Sequence, residues 1–159
     1  MAEYDVGVDE VVYLDICCFK RPFDDATQRR VRREADAVAA LLDAAQDRRV
    51  RIVRSPAHDL ENDRNPREDR RLATRLWLAT AAVRVSSTVQ STDRARELVG
   101  LGFSALDALH LAFAETSGAR WFATTDDRLL KRARDHGDRL RVRVLGPEEI
   151  PLADQGGHG

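Results

Sequence analysis

Apolar residues are spread along the chain in two ways: short continuous runs, and longer stretches where they recur every three or four positions. The run Val11-Val12-Tyr13-Leu14 is rich in β formers and has no polar alternation. It predicts a strand buried on both faces, in the middle of a parallel sheet. Residues 50–53, 83–85 and 121–124 are further short runs and predict further strands. Residues 140–145 alternate polar and apolar, which predicts a strand with one wetter side, at a sheet edge. Between the runs lie helical stretches. A helix capped by Thr27 and reaching about residue 46 buries Val31, Ala35, Val38, Leu41 and Leu42. Ser55-Pro56 starts another, because Ser caps well and Pro at the first helical position lacks only an unused N–H. That helix carries His58, Leu60 and Glu61, and Asn65-Pro66 ends it. Residues 68–80 form a helix with Leu72, Leu76 and Trp77 inward, and Ser91-Thr92-Asp93 cap one that Gly100 and Gly102 close. Ser104 caps a helix over 105–115 that is apolar almost all round, hence buried, and Gly118 stops it. Asp126 or Asp127 caps the last, through residue 134. Strand and helix alternate throughout, which predicts an α/β fold with a parallel sheet between helices.

A length of 159 residues suits one domain with a sizeable core. The expected division is a short lead-in over residues 1–10, a single domain over 11–145 and a flexible tail over 146–159 that ends in Gly156-Gly157-His158-Gly159. Charge is balanced, with 26 basic against 27 acidic residues. Almost all the basic residues are Arg, clustered in Arg29-Arg30-Val31-Arg32-Arg33 and between Arg64 and Arg75. A near-neutral total does not announce a nucleic-acid binder, while local Arg clusters leave one open; a solvated helix face explains each cluster as well. Cys17 and Cys18 are adjacent and no second pair exists, which rules out a disulfide framework and fits a reducing cytoplasm. No signal-like segment opens the chain, and no apolar run of about 18 residues occurs, so the expected location is cytoplasmic, with no membrane partner.

Candidate chemistry sits on carboxylates at element ends. Asp15 follows the first strand, Glu61 lies in the helix after the second, Asp107 opens the buried helix, and Asp126 follows the fourth strand with Asp127 beside it. In an open α/β sheet, ligands bind beyond the carboxyl ends of the strands. Carboxylates converging there repel one another unless protons or cations neutralise them. Hard oxygen donors suit Mg²⁺ or Mn²⁺, whereas no His/Cys set has zinc-ligand spacing. A divalent ion held this way lowers the pKa of water and polarises a phosphoryl oxygen. Each residue also has a plainer role. Ser104 to Asp107 is a capping-box pattern, Asp126 or Asp127 caps a helix, and Glu61 is surface charge near Arg64. Asp15 has the least plain alternative, because an acid ending a buried strand needs a partner.

Other patterns are missing. There is no GxGxxG, no Walker lysine loop and no Asp-x-Asp after the first strand. His110 shares a helix face with Asp107 and is expected as a hydrogen-bonded core residue; His58 is expected at the surface and Cys17 as a small buried hydrophobe. Trp77 and Trp121 are expected in the core.

Taken together, Tyr13-Leu14-Asp15-Ile16-Cys17-Cys18 with Arg21-Pro22-Phe23-Asp24-Asp25, Leu60-Glu61 ahead of Arg64-Asn65-Pro66, Leu106-Asp107-Ala108-Leu109-His110-Leu111-Ala112 and Thr124-Thr125-Asp126-Asp127-Arg128-Leu129-Leu130 resemble the PIN-domain ribonucleases, over roughly residues 11–145. The resemblance implies a three-layer α/β/α fold with a parallel five-stranded sheet in the order 3-2-1-4-5, which sets Asp15 and Asp126 on neighbouring strands. It implies Mg²⁺ or Mn²⁺ held by Asp15, Glu61, Asp107 and Asp126, with Glu61 orienting the nucleophile, and endonucleolytic cleavage of single-stranded RNA. Thr125 and Asp127 are accessory candidates, and Arg21, Arg64 and Arg128 are candidate RNA contacts. Many bacterial members are VapC-type toxins held by a cognate antitoxin, and members often form homodimers. Where many members carry Ser or Thr after the first Asp, this chain has Cys17 and Cys18. Two rival functions are a PIN-like binding or regulatory protein whose acids hold a partner's Arg or Lys, and an enzyme acting on DNA or small phosphoesters.

Overall fold

The computed structural model describes residues 10–152; the expected lead-in before residue 10 and the Gly-rich end lie outside the described residues. Strand β1 (Val11–Leu14) leads into a one-turn helix α1 (Ile16–Lys20) and, after a 3-10 turn at Arg21–Phe23, the long helix α2 (Arg29–Gln46). Strand β2 (Arg51–Arg54), helices α3 (Pro56–Asp63) and α4 (Glu68–Ala79) and strand β3 (Val83–Arg84) follow. The second half consists of α5 (Val89–Gly100), α6 (Ala105–Thr116), β4 (Trp121–Ala123), α7 (Asp127–Asp135) and β5 (Arg143–Leu145). The strands form one sheet in the order β3-β2-β1-β4-β5, and every pairing is parallel. This is the order and the layering that the resemblance implied, with β5 at an edge.

Strand β1 is central, and its side chains divide between two cores. Val11 and Tyr13 point to the layer that holds α5, α6 and α7, with Leu98, Leu111, Phe113 and Leu129. Val12 and Leu14 point to the opposite layer, with Val38, Leu41 and Leu42 of α2 and Leu78 of α4. Burial on both sides explains the uninterrupted apolar run. The chain after β5 stays packed for a few residues: Ile150 is buried in the second core, so the expected tail over 146–159 is anchored at its start.

Three local expectations are corrected. Helix α2 begins at Arg29 with no side-chain cap, because Thr27 instead folds back on Asp25 with both its N–H and its hydroxyl. Helix α5 is capped by Thr88 rather than Ser91; Ser91 is the third helical residue, and the two close a reciprocal capping box. Helix α4 turns Thr74 and Leu78 inward and leaves Leu72 and Leu76 exposed, with Leu76 71% accessible. The other caps agree with expectation: Ser55, Ser104 and Asp126 each accept backbone N–H groups of α3, α6 and α7.

Candidate metal centre

Leu14 pairs with Ala123, so the first residues past β1 and β4, Asp15 and Thr124, stand side by side at the carboxyl edge of the sheet. Asp15 has extended backbone and acts as the cap of α1, with its Oδ1 accepting the Ile16 N–H at 2.9 Å. Its Oδ2 accepts the Thr124 hydroxyl at 2.8 Å and, more loosely, the Cys17 thiol at 3.5 Å. The carboxylate is buried, at 6% exposure. Burial pushes the Asp15 carboxyl above its ordinary value; His110 works against that rise and Glu61 adds to it.

Two more donors face Asp15. Glu61, half-buried on α3, lies with Oε1 2.8 Å from Nε2 of His110, and that same Nε2 is 4.0 Å from Oδ1 of Asp15. One ligand atom from each of Asp15, Glu61 and His110 falls within 4.8 Å of the other two. One buried and one half-buried carboxylate, mutually repelling and with a nitrogen donor beside them, form a set that a divalent cation would neutralise. The described residues therefore fit the metal that the resemblance implies.

Behind His110 runs a buried polar chain. Nδ1 of His110 is 2.6 Å from the Tyr13 hydroxyl, which is 2.7 Å from Oγ of Ser55. Ser55 donates its backbone N–H to Nδ1 of His58 at 3.1 Å, so the proton of this imidazole is assigned to Nε2, which donates to the Leu14 carbonyl at 2.7 Å. Burial first, and His110 second, hold His58 at a pKa of about 3, so it is neutral. Burial likewise raises the Tyr13 hydroxyl well above its ordinary value. His58 is thus a core residue, correcting its expected place at the surface. The local signal for it was its position three residues after Ser55, where the second partner of a capping box sits. His110 is the hydrogen-bonded core histidine expected, but it also presents a nitrogen to the acids, which the sequence reading did not assign. The signal available was a single His on an otherwise apolar helix, one turn after Asp107.

The other two acids stand farther out. Asp107, half-buried at the start of α6, has its N–H on the Ser104 hydroxyl. Its carboxyl is raised by burial first, then by Asp15, with a smaller contribution from Asp126. Asp126 is exposed, and its Oδ1 accepts the Arg128 N–H at 2.9 Å as the cap of α7. Its backbone N–H rests on Thr124 Oγ1 at 3.1 Å, so Thr124, not Asp126, is the side chain that touches Asp15. Asp107 and Asp126 line a groove of about 420 Å³ together with Ser104, Arg128 and Arg132.

The accessory candidates separate. Thr125 is buried and contributes main-chain groups: its N–H reaches Sγ of Cys17 at 3.3 Å and its carbonyl accepts Arg30 at 3.1 Å. Asp127 is exposed and paired with Arg30 at 2.7 Å, which holds its carboxyl below the usual range. Arg21 is committed to Asp24 and to the buried Glu34, whereas Arg64 and Arg128 are exposed. Cys17 is half-buried and in polar contact with Asp15, Thr124 and Thr125, which corrects its expected role as a small hydrophobe; Cys18 is the buried one. Trp121 is buried and Trp77 half-buried.

No helix among the described residues is long and apolar enough to cross a membrane. A search of curated proteins returned no match. The family model for the PIN domain matches residues 8–135, a span that takes in Asp15, Glu61, Asp107, His110 and Asp126 as well as four of the five strands. With that match and the observed strand order, the chain belongs to the PIN domain family, a family of nucleases.

Proposed function

We propose that the chain is a divalent-metal-dependent endoribonuclease that hydrolyses phosphodiesters of single-stranded RNA. The observation that carries this reading is the buried Asp15, ringed by Glu61 and His110 with ligand atoms within 4.8 Å of one another, in a PIN domain. Asp15, Glu61, Asp107 and Asp126 would hold Mg²⁺ or Mn²⁺. Such an ion, when bound, polarises the scissile phosphoryl group and makes water acidic enough to supply the nucleophile. The chain's own groups do the rest. Glu61, the more accessible of the inner acids, orients the attacking water. Thr124 and the Ile16 N–H hold the Asp15 carboxylate in one orientation. Arg128, at the lip of the groove that Asp107 and Asp126 line, and Arg64, beyond the end of α3, contact backbone phosphates. Arg21, engaged with Glu34, serves the fold before the substrate.

The preference for RNA over DNA rests on the family resemblance, as do a role as the toxin of a toxin–antitoxin pair, a cognate antitoxin as partner and homodimer formation; a cytoplasmic location rests on the cysteine usage and the apolar pattern of the sequence. The exposed Leu72 and Leu76 on α4 offer apolar surface to such a protein partner.

The test is incubation of the purified chain with matched single-stranded RNA and DNA, in Mg²⁺, in Mn²⁺ and in excess chelator. RNA cleavage that requires metal is the expected result. Faster cleavage of the DNA strand would overturn the substrate assignment. Titration that finds no Mg²⁺ or Mn²⁺ binding would favour a PIN-like binding protein.

A further inference from the structure

We infer that His110 is itself a metal ligand through Nε2, held in its ligating tautomer by Tyr13 and Ser55, so that the centre selects a first-row transition ion over Mg²⁺. This inference rests on the metal-site reading above.

The ring of His110 is fully enclosed and fixed at both nitrogens, so Nε2 has no direction to face except the acids. Nε2 stands 2.8 Å from Oε1 of Glu61 and 4.0 Å from Oδ1 of Asp15, and all three ligand atoms lie within 4.8 Å of one another, so one cation would be within reach of each.

A histidine that ligates through Nε2 needs its proton on Nδ1 and a partner to receive it. Tyr13, 2.6 Å away, is that partner, because its own proton has somewhere to go. The chain of Ser55, Tyr13 and His110 has two arrangements with the same number of protons. In one, Ser55 donates to Tyr13, Tyr13 donates to Nδ1 of His110, and Nε2–H donates to Glu61. In the other, Nδ1–H donates to Tyr13, Tyr13 donates to Ser55, and Ser55 Oγ, 3.3 Å from Nδ1 of His58, donates there. His58 has its single proton anchored on the Leu14 carbonyl, so its Nδ1 is an acceptor, and the lone pair there is shared between this hydroxyl and the Ser55 N–H at 3.1 Å. Nε2 of His110 is then a free lone pair, and a cation takes the place of its proton beside Glu61. The change is one of tautomer and hydroxyl rotation, with no proton gained or lost.

A nitrogen donor changes which ion is preferred. Imidazole suits Fe²⁺, Ni²⁺, Cu²⁺ and Zn²⁺, and Mn²⁺, though it favours oxygen, accepts a nitrogen donor more readily than Mg²⁺, which demands oxygen in near-ideal octahedral geometry. Tyr13 acts through His110 and is a positioning residue.

Pulsed electron paramagnetic resonance of Mn²⁺ bound to the intact chain tests this, with affinities measured by titration. The expected spectrum shows coupling to a directly bonded ¹⁴N, lost in His110→Gln. Weakening of Mn²⁺ binding in His110→Gln should exceed that of Mg²⁺ by about tenfold, and Tyr13→Phe should keep the coupling while weakening Mn²⁺ by about tenfold or more. Mn²⁺ bound by the wild-type chain without ¹⁴N coupling would overturn the ligand assignment and leave the metal-dependent reading standing. No Mn²⁺ binding by the wild-type chain would overturn both. Unchanged Mn²⁺ affinity in a folded Tyr13→Phe variant would overturn the part given to Tyr13.

Discussion

Thr124 donates its hydroxyl to Asp15 across 2.8 Å and accepts the backbone N–H of Asp126 at 3.1 Å. One side chain thus ties the acid that follows β1 to the loop that follows β4. Thr124→Val keeps the shape and removes both bonds, leaving a buried carboxylate oxygen short of a donor. We expect a loss of about 1–3 kcal/mol in stability and a fall of about 10–100-fold in RNA cleavage, the range for a group that orients a metal ligand. Thr124→Ser should recover most of both. Denaturant unfolding and a cleavage assay on the same samples check this; a Val variant with wild-type turnover would show that the contact does not orient Asp15.

Acid sensitivity should follow His58. Its folded pKa is about 3 against an ordinary 6.5, lowered by burial and by His110, with Arg54 adding a little. As pH falls below about 6.5 the unfolded chain takes up a proton that the folded chain refuses, so stability present above that pH is lost towards pH 3. At about 1.4 kcal/mol per pH unit, the loss is on the order of 4 kcal/mol. Asp15 has the opposite sign: its raised carboxyl adds stability below its unfolded pKa, and that contribution disappears as pH rises through the folded value. The difference between wild type and His58→Gln isolates the histidine. Their unfolding free energies should converge as pH drops from 6.5 to 4; parallel curves would show that His58 does not titrate on unfolding.

How much of this was legible in the sequence depended on whether the deciding contact was local. The position of β1 and Asp15 followed from an apolar run with no polar side, and the caps at Ser55, Ser104 and Asp126 followed from residue type and neighbours. The acids of the site could be placed by element order, because a parallel sheet puts every strand's carboxyl end on one edge. What failed were choices between equivalent local options. The stretch Ser86-Ser87-Thr88 and Ser91-Thr92 offers several cap residues, and Thr88 won because Ser91 could close the box behind it. In α4 the few apolar residues fit two faces, and packing against the β2 side chose Leu78 over Leu72 and Leu76. The roles of His58 and His110 depend on the Leu14 carbonyl and on Glu61, contacts between residues 44 and 49 positions apart, which periodicity does not reveal.

Arg30 bridges α2 to the start of α7. It reaches both carboxylate oxygens of Asp127, at 2.9 and 2.7 Å, and the Thr125 carbonyl at 3.1 Å, while its Nε meets Glu34 at 3.2 Å. Asp127 is solvent-exposed, so that arm is worth at most about 1 kcal/mol, and Glu34 keeps Arg21 at 3.1 Å. Arg30→Ala should therefore cost little global stability but loosen the loop that presents Asp126. Hydrogen exchange should quicken at the amides of residues 126–129 while the unfolding midpoint moves little; unchanged exchange there would show that Arg30 does not brace this loop.

Asp15 is a buried acid whose charge disfavours the fold and which the fold nonetheless keeps. Asp15→Asn preserves its shape and removes that charge, so stability should hold within about 1 kcal/mol or rise. The most direct measurement is the rate of single-stranded RNA cleavage by this variant in Mn²⁺, beside the wild-type chain. Cleavage falling to background in a folded protein is the expected result; cleavage at the wild-type rate would contradict the assignment of the site.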